Sequence, residues 1–414
     1  MIKYAQWGYL TLKAKLFCLI LLIFIIFSGC GVQRNVPMQP ENTAEPTAIP
    51  TPTPTAVPTP EPMPVVTASL LSAGDVIMHG AVIKSGKTVD GTYDYRYIFD
   101  EVRPYVQAAD FSIISFEGAA MDSDKNYTGY PLFNAPPAIL SAFSDVGFDM
   151  VNQANNHCLD RKLKGLFETR DFILSEKMQV IGTYQDAAEP RFRIQDLNGI
   201  KVGFLAYTYG CNMNENALTE EERNTHLSLF NRDKMKTEIQ ALSPMVDFVV
   251  VFMHWGVEYR KEPTQDQKNL ARDLFEWGAD IILGSHPHVV EASETMVING
   301  EVKYVIYAMG NFLSNQIKGT IDDKNINEYT EDGMMVSLTL QKDTGTGESS
   351  IASIKHIPTW VHRYKVGDVN KYTIHPIPSL EDSIFENMDT RLADNLRSSY
   401  SRTMALVQDY IPED

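Results

Sequence analysis

Several residues able to bind a metal stand at the ends of apolar runs. Asp75 closes VVTASLLSAGD, Glu117 closes DFSIISFE, and Asn156 closes FDMVNQANN with His157 beside it. His254 closes VDFVVVFMH, and His286 ends ADIILGSH, with His288 two residues on in His-Pro-His. In α/β sheets ligands gather at the carboxyl ends of strands, so residues at these positions can converge. A set of imidazoles, carboxylates and an amide oxygen suits Mn²⁺, Fe or Zn²⁺ and differs from the thiolate-rich set of structural zinc. One or two divalent transition metals are therefore expected. Taken singly each signal is weak, because a lone His at a strand end is usually a hydrogen-bonded core residue. Two imidazoles two residues apart are more telling, since they can reach neighbouring metals.

The elements that must position these groups alternate between strand-like and helix-like segments, which argues an α/β fold. PPAILSAFSDV, from Pro136 to Val146, carries Pro early and Gly147 just past its end. TQDQKNLARDLFEW, from Thr264 to Trp277, opens with a Thr-x-x-Gln capping box and stops at Gly278. Asn198-Gly199 and Asn299-Gly300 each separate two strand-like runs, so two-residue hairpins are expected and the sheets are mixed. MMVSLTLQ and SIASIKHIPTWV flank a GTGESS turn, and from about Pro378 the chain reads as a polar helical tail.

GDVIMHG, SFEG, NQANNHCLD, VVFMHWGVEY, GADIILGSHPHV and YAMGNF follow one another in the order seen in the capsule-synthesis CapA family. The chain resembles that family over about Ser69 to Asn315, and through it the calcineurin-like metallophosphatases, of which the family is a divergent branch. The resemblance implies a four-layer α-β-β-α sandwich with mixed sheets. It implies Asp75 and His288 on one metal, Asn156, His254 and His286 on a second, and Glu117 near the bridging position. His157 would then face the substrate.

Two departures stand out. The Asp-x-His of metallophosphatases is absent, because Ile77 follows Asp75 by two; His79, four residues on, is the expected substitute. Glu117 stands where those enzymes carry Gly-Asp-x-x-Asp. Two metals in such a site would activate a water and stabilise a forming oxyanion. His157 or Glu258 is the expected proton donor. Asp160 reads equally as the partner that fixes an imidazole tautomer or as a helix N-cap, and Trp255 and Tyr259 read as core aromatics.

The ends of the chain speak of location. Lys13 and Lys15 precede the apolar run Leu16 to Phe27, followed by Ser28-Gly29-Cys30. This is a secretory signal, too short for a membrane span and resembling a lipobox, so Cys30 is expected to be lipidated. The expected organisation is a signal peptide over 1–29, a Pro/Thr-rich linker over 30–64, a folded domain over 65–365 and a helical tail over 366–414. The linker favours extended polyproline II, a semi-rigid spacer. The protein is thus expected on the outer face of a bacterial cell membrane. Its formal net charge of -17 argues against nucleic acid as a partner. Cys158 and Cys211, the two cysteines of the body, read as unpaired buried thiols, with a single bridge between them as the alternative in an oxidising compartment.

Three functions fit this reading. One is a metal-dependent hydrolase or transferase on a cell-envelope polymer, with poly-γ-glutamate suggested by the family alone. Another is a non-catalytic accessory that assists polymer export or anchoring beside a membrane synthase. The third is a surface phosphoesterase or nucleotidase.

Overall fold

The computed structural model describes residues 64–319 and 329–411. The signal peptide, Cys30 and the Pro/Thr-rich stretch through 63 lie outside the described residues. The strands are β1 (Val65–Ile77), β2 (Phe111–Glu117), β3 (Met150–Asn152), β4 (Gln179–Ile181), β5 (Arg193–Leu197), β6 (Ile200–Thr208) and β7 (Phe248–His254). After them come β8 (Ile281–Ser285), β9 (Ser293–Ile298), β10 (Glu301–Ile306), β11 (Asn311–Leu313), β12 (Asp332–Asp343), β13 (Ser349–Val366) and β14 (Val369–Pro376).

They form two mixed sheets. One runs β14-β13-β12-β1-β2-β3-β4, with β11 beside the end of β1; the other runs β5-β6-β7-β8-β10-β9. The strands that carry the candidate ligands are parallel: β1 with β2 and β2 with β3 in one sheet, β7 with β8 in the other.

Side-chain alternation explains the layering. Leu70, Ile113 and Met150 face Phe204, Val250 and Ile281 in a core between the sheets. Their neighbours Leu71, Ile114 and Val151 turn the other way and pack with Ile139, Leu140 and Phe143 of the helix Ala138–Val146. On the second sheet Val249, Val251 and Ile282 pack outward on the helices Arg232–Leu242 and Gln265–Trp277. Strands buried on both faces read as continuous apolar runs, which is why FVVVFM shows no polar alternation. Fully burying one such Val or Phe contributes about 1.5–3 kcal/mol. The result is the expected four-layer α-β-β-α sandwich.

Local signals match as well. Gly147 and Gly278 end their helices in the left-handed region at φ 113° and 116°, and Thr264 and Gln267 complete the capping box. Asn198-Gly199 joins β5 to β6 and Asn299-Gly300 joins β9 to β10, with positive φ at all four residues, as a type I′ turn requires.

Besides shifts of one or two residues at the ends of β1 and β8, two boundaries differ from the sequence reading. The stretch after 365 does not begin as a helix: Val369–Pro376 pairs with β13 as an edge strand, burying Tyr372 and Ile374. Asn370, Lys371 and His375 interleave with these apolar residues and obscure the strand. Helices follow only at Asp382–Phe385 and Thr390–Met404, the latter setting Ala393 and Leu396 against Trp360. Likewise β3 stops at Asn152 rather than at Asn156. The Asn152 carboxamide accepts the Ala154 N–H at 3.0 Å, an Asx-type turn that ends the strand and starts the site loop.

Candidate metal centre

Asp75 owes its position to a close approach of two backbones. At Gly74 a Cβ would lie 2.2 Å from the Gly310 carbonyl oxygen, so only glycine lets β1 reach that segment. The Asp75 N–H then donates to the same carbonyl at 3.0 Å. The side chain points across to the other sheet, where its Oδ2 accepts the His286 N–H at 3.0 Å. That contact helps hold an unusual backbone: His286 and His288 lie at φ 99° and 60°, conformations that L-residues adopt at a cost of about 1–3 kcal/mol each. The Tyr259 N–H donating to Pro287 at 2.8 Å pins the same turn. With the backbone so turned, both imidazoles enter one cleft, their ring centroids 5.9 Å apart.

Two groups of donor atoms converge there. Asp75, Glu117 and His288 bring one ligand atom each within 4.8 Å of one another, and so do Glu258, His286 and His288. His254 lies beside them, its ring 4.8 Å from that of His286 and its Nε2 3.0 Å from Asn156 Oδ1. Its Nδ1 is 2.9 Å from Ser285 Oγ. Without metal, Nε2–H donating to Asn156 and the Ser285 hydroxyl donating to Nδ1 satisfy both nitrogens; with Nδ1–H turned to Ser285 instead, Nε2 and the Asn156 oxygen are free to face a cation together.

Unpaired buried atoms test the fit of a metal. Asp75 Oδ1, Glu117 Oε2, His286 Nδ1 and His288 Nδ1 are buried and have no hydrogen-bond partner. Native folds carry a few such atoms per hundred residues, and what singles these four out is that their residues belong to the two donor groups. Burial raises the Asp75 carboxyl to about 7 and holds Glu117 well above the usual carboxylate range, with the Asp75 charge adding to the second shift. Burial also lowers His286 to about 4 and keeps His254 and His288 well below the ordinary imidazole value. The imidazoles are therefore neutral and offer lone pairs, while the carboxyls need a nearby cation to ionise. The donor set fits divalent transition metals.

The remaining residues sort by contact. His157 Nδ1 is 2.8 Å from Asp160 Oδ2, and its Nε2 is 3.9 Å from Glu117 Oε1. Asp160 is thus the tautomer-fixing partner and not an N-cap, since the following helix starts at Lys162 with no side-chain cap. His79 is not within the two donor groups; its Nδ1 accepts the Asn315 N–H at 3.3 Å, and its ring meets Phe133 edge-on. Glu258, expected as a proton donor, stands with His286 and His288 as a ligand-type group at the exposed rim. Trp255 is core, donating its indole N–H to Tyr307 at 2.8 Å. Tyr259, by contrast, belongs to the site wall: its ring lies 5.8 Å from His288 and its hydroxyl takes a hydrogen bond from Gln316 at 2.9 Å.

Two neighbours escaped the sequence reading. The Tyr209 ring lies 4.8 Å from His286 and stacks parallel to His254 at 6.2 Å. The Asn212 amide nitrogen sits 3.3 Å from His157 Nε2, and its oxygen accepts from Asn156 Nδ2 at 3.3 Å. Both follow the end of β6, in the segment YGCN. The only signal for them was their place after a buried parallel strand, as for every other residue of the site.

The chain is similar to known proteins. The chain is 29% identical over 257 residues to the capsule biosynthesis protein CapA of Bacillus anthracis, covering 60% of each chain. It is 27% identical over 327 residues to the PGA biosynthesis protein CapA of Bacillus subtilis (strain 168), covering 77% of this chain and 75% of that one. Among solved structures, a phosphatase from Mycoplasma pneumoniae aligns at a TM-score of 0.41 and 12% identity, over 71% of this chain and 94% of that one. The profile of the bacterial capsule synthesis protein PGA_cap matches residues 69–316, a span that holds every donor described above, and the chain belongs to that family.

Proposed function

We propose that this capsule-synthesis protein is a metal-dependent hydrolase or transferase acting on a cell-envelope polymer, with poly-γ-glutamate as the substrate class. It would work at the outer face of the cell membrane, held by a lipid on Cys30 and spaced from the surface by the Pro/Thr-rich stretch. A membrane synthase complex is the partner such a placement suits. The observation that carries the reading is the convergence of four unpaired buried donor atoms from both sheets.

Asp75, Glu117 and His288 would hold one metal, and Asn156, His254 and His286 a second, with Glu258 at the rim. The metals supply Lewis acidity and charge for a developing oxyanion. The chain's own groups do the rest. His157 keeps Nδ1 on Asp160, so Nε2 is the nitrogen that faces the cleft and can pass a proton to a departing amine or alkoxide. Asp160 stabilises the imidazolium during that transfer. Asn212 and Phe133 confine the ring, the latter edge-on at 4.7 Å. Tyr209 and Tyr259 form walls that orient a chain entering the cleft.

The absent Asp-x-His favours a second reading, an accessory whose metal site holds shape without turnover. A substrate panel separates the two. The metal-loaded mature chain is incubated with poly-γ-glutamate, cell-wall peptides, nucleotides and a generic phosphodiester, and new amine ends or phosphate are counted. Turnover of a polymer amide that disappears in His157→Ala supports catalysis. No turnover on any member, together with loss of polymer display in His157→Ala cells, supports the accessory. Turnover of nucleotides alone would make it a phosphoesterase.

A further inference from the structure

Behind the cleft stand two thiols that the proposed chemistry does not use. Cys158 Sγ and Cys211 Sγ are 3.5 Å apart, both fully buried, although 53 positions separate them in sequence. They sit in a small apolar cluster with Leu159, Leu166 and Leu227. Each is adjacent to a residue of the site: Cys158 follows His157, and Cys211 precedes Asn212. Asn212 and Met213 lie at φ 52° and 65°, so this loop is held in a backbone form that needs outside support. The Cys211 N–H is itself fixed by Glu215 Oε2 at 3.0 Å.

We infer that Cys158 and Cys211 are joined by a disulfide in the exported protein, and that this bond fastens the Asn212 loop to the His157 loop. The inference rests on the proposed placement outside the cell, where disulfides persist. The sulfurs need only close from 3.5 Å to about 2.05 Å, a movement on the scale of side-chain rotation. On the same proposed placement no competing thiol would remain in the mature chain, because Cys18 would leave with the leader and Cys30 would carry the lipid. The oxidant is an external disulfide, of a small molecule or of a thiol oxidoreductase. One thiolate attacks it and releases the first thiol. The second then attacks the mixed disulfide and releases the other, so two protons and two electrons leave the pair. Because both sulfurs are buried once the chain folds, exchange occurs while it is still emerging. The bond then removes freedom from an unfolded loop of this length.

The test is thiol labelling under denaturing acid quench, on whole protein taken from the cell envelope and on protein refolded in an oxidising glutathione buffer. The expected result is no label on Cys158 or Cys211 until a reductant is added, with one peptide linking them. Hydrogen exchange supplies a local readout. Reduction should speed exchange of amides 209–213 and 156–160 by about tenfold while leaving the helix Gln265–Trp277 unchanged. If refolded protein keeps both thiols open to label, the pairing is overturned. Surface-exposed protein, shown by protease shaving, that carries free thiols overturns it equally. Reduced thiols in protein that shaving does not reach, with the bond forming on refolding, would instead overturn the placement outside the cell and leave the pairing standing.

Discussion

Replacing Asp75 by Asn should change stability in opposite directions with and without metal. Asn has nearly the same shape, and its oxygen can still accept the His286 N–H. What it removes is a buried ionisable group whose carboxyl burial lifts from 3.8 to about 7. A folded-state value above the unfolded one means that the native state holds the proton more tightly. The contribution is complete below about 3.8 and is lost as pH rises through about 7. At pH 8 the metal-free wild type therefore carries a penalty of up to about 4 kcal/mol for ionising Asp75 in its cleft. Metal-free Asp75→Asn escapes that penalty and should unfold at higher denaturant than wild type at pH 8, with the gap closing toward pH 4. Saturating metal reverses the order. At about a ten-thousandfold excess over Kd it stabilises wild type by about 5.5 kcal/mol, more than the ionisation penalty, and the variant, short of one charged ligand, should gain far less. Urea unfolding at pH 4 and pH 8, with chelator and with Mn²⁺ or Zn²⁺, reads all four corners. If metal-free Asp75→Asn is less stable than wild type at pH 8, Asp75 serves the fold through its charge and the metal assignment is wrong.

The other predictions address separate links. His157→Ala should keep its metal and lose turnover by about 10²–10⁴-fold on whichever substrate the panel identifies, as measured by initial rates beside elemental analysis. Glu291, wholly buried with Gln267 Nε2 donating to it at 2.7 Å, has its carboxyl raised by burial to about 8. Wild type should thus lose stability as pH rises from about 4.5 to 8, and Glu291→Gln should flatten that slope in thermal melts. Cys30→Ser should leave the membrane fraction or retain its leader, which fractionation and intact mass can establish.

Much of the site was legible because a parallel sheet buried on both faces writes long apolar runs, and each run points to the polar residue that ends it. Glu117 and His254 end their strands as read, and His286 lies one residue past β8. Where the chain leaves the strand and turns, the reading failed. Asn156 and His157 sit in a loop whose course is set by the Asn152 carboxamide and by Asn155, whose Nδ2 donates to the Phe116 carbonyl at 2.7 Å. Nothing in HWGVE shows that left-handed backbone at Gly256 and Tyr259 brings Glu258, read as a proton donor, beside His286 and His288. Tyr209 and Asn212 belong to the site through contacts between segments far apart in sequence, which no local pattern encodes. The edge strand β14 was hidden for a related reason: Lys371 reaches the Ser85 carbonyl and His375 meets Glu101, and only pairing with β13 makes it a strand.

The most direct test of the central claim is metal content. Mature wild-type protein, stripped with chelator, reloaded separately with Mn²⁺, Fe²⁺ and Zn²⁺ and desalted, is compared by elemental analysis with a folded His286→Ala/His288→Ala variant. One or two equivalents of metal in wild type, with near-complete loss in the variant, are what the four unpaired donors predict. Wild type that holds no stoichiometric metal under any of these loadings would contradict the account.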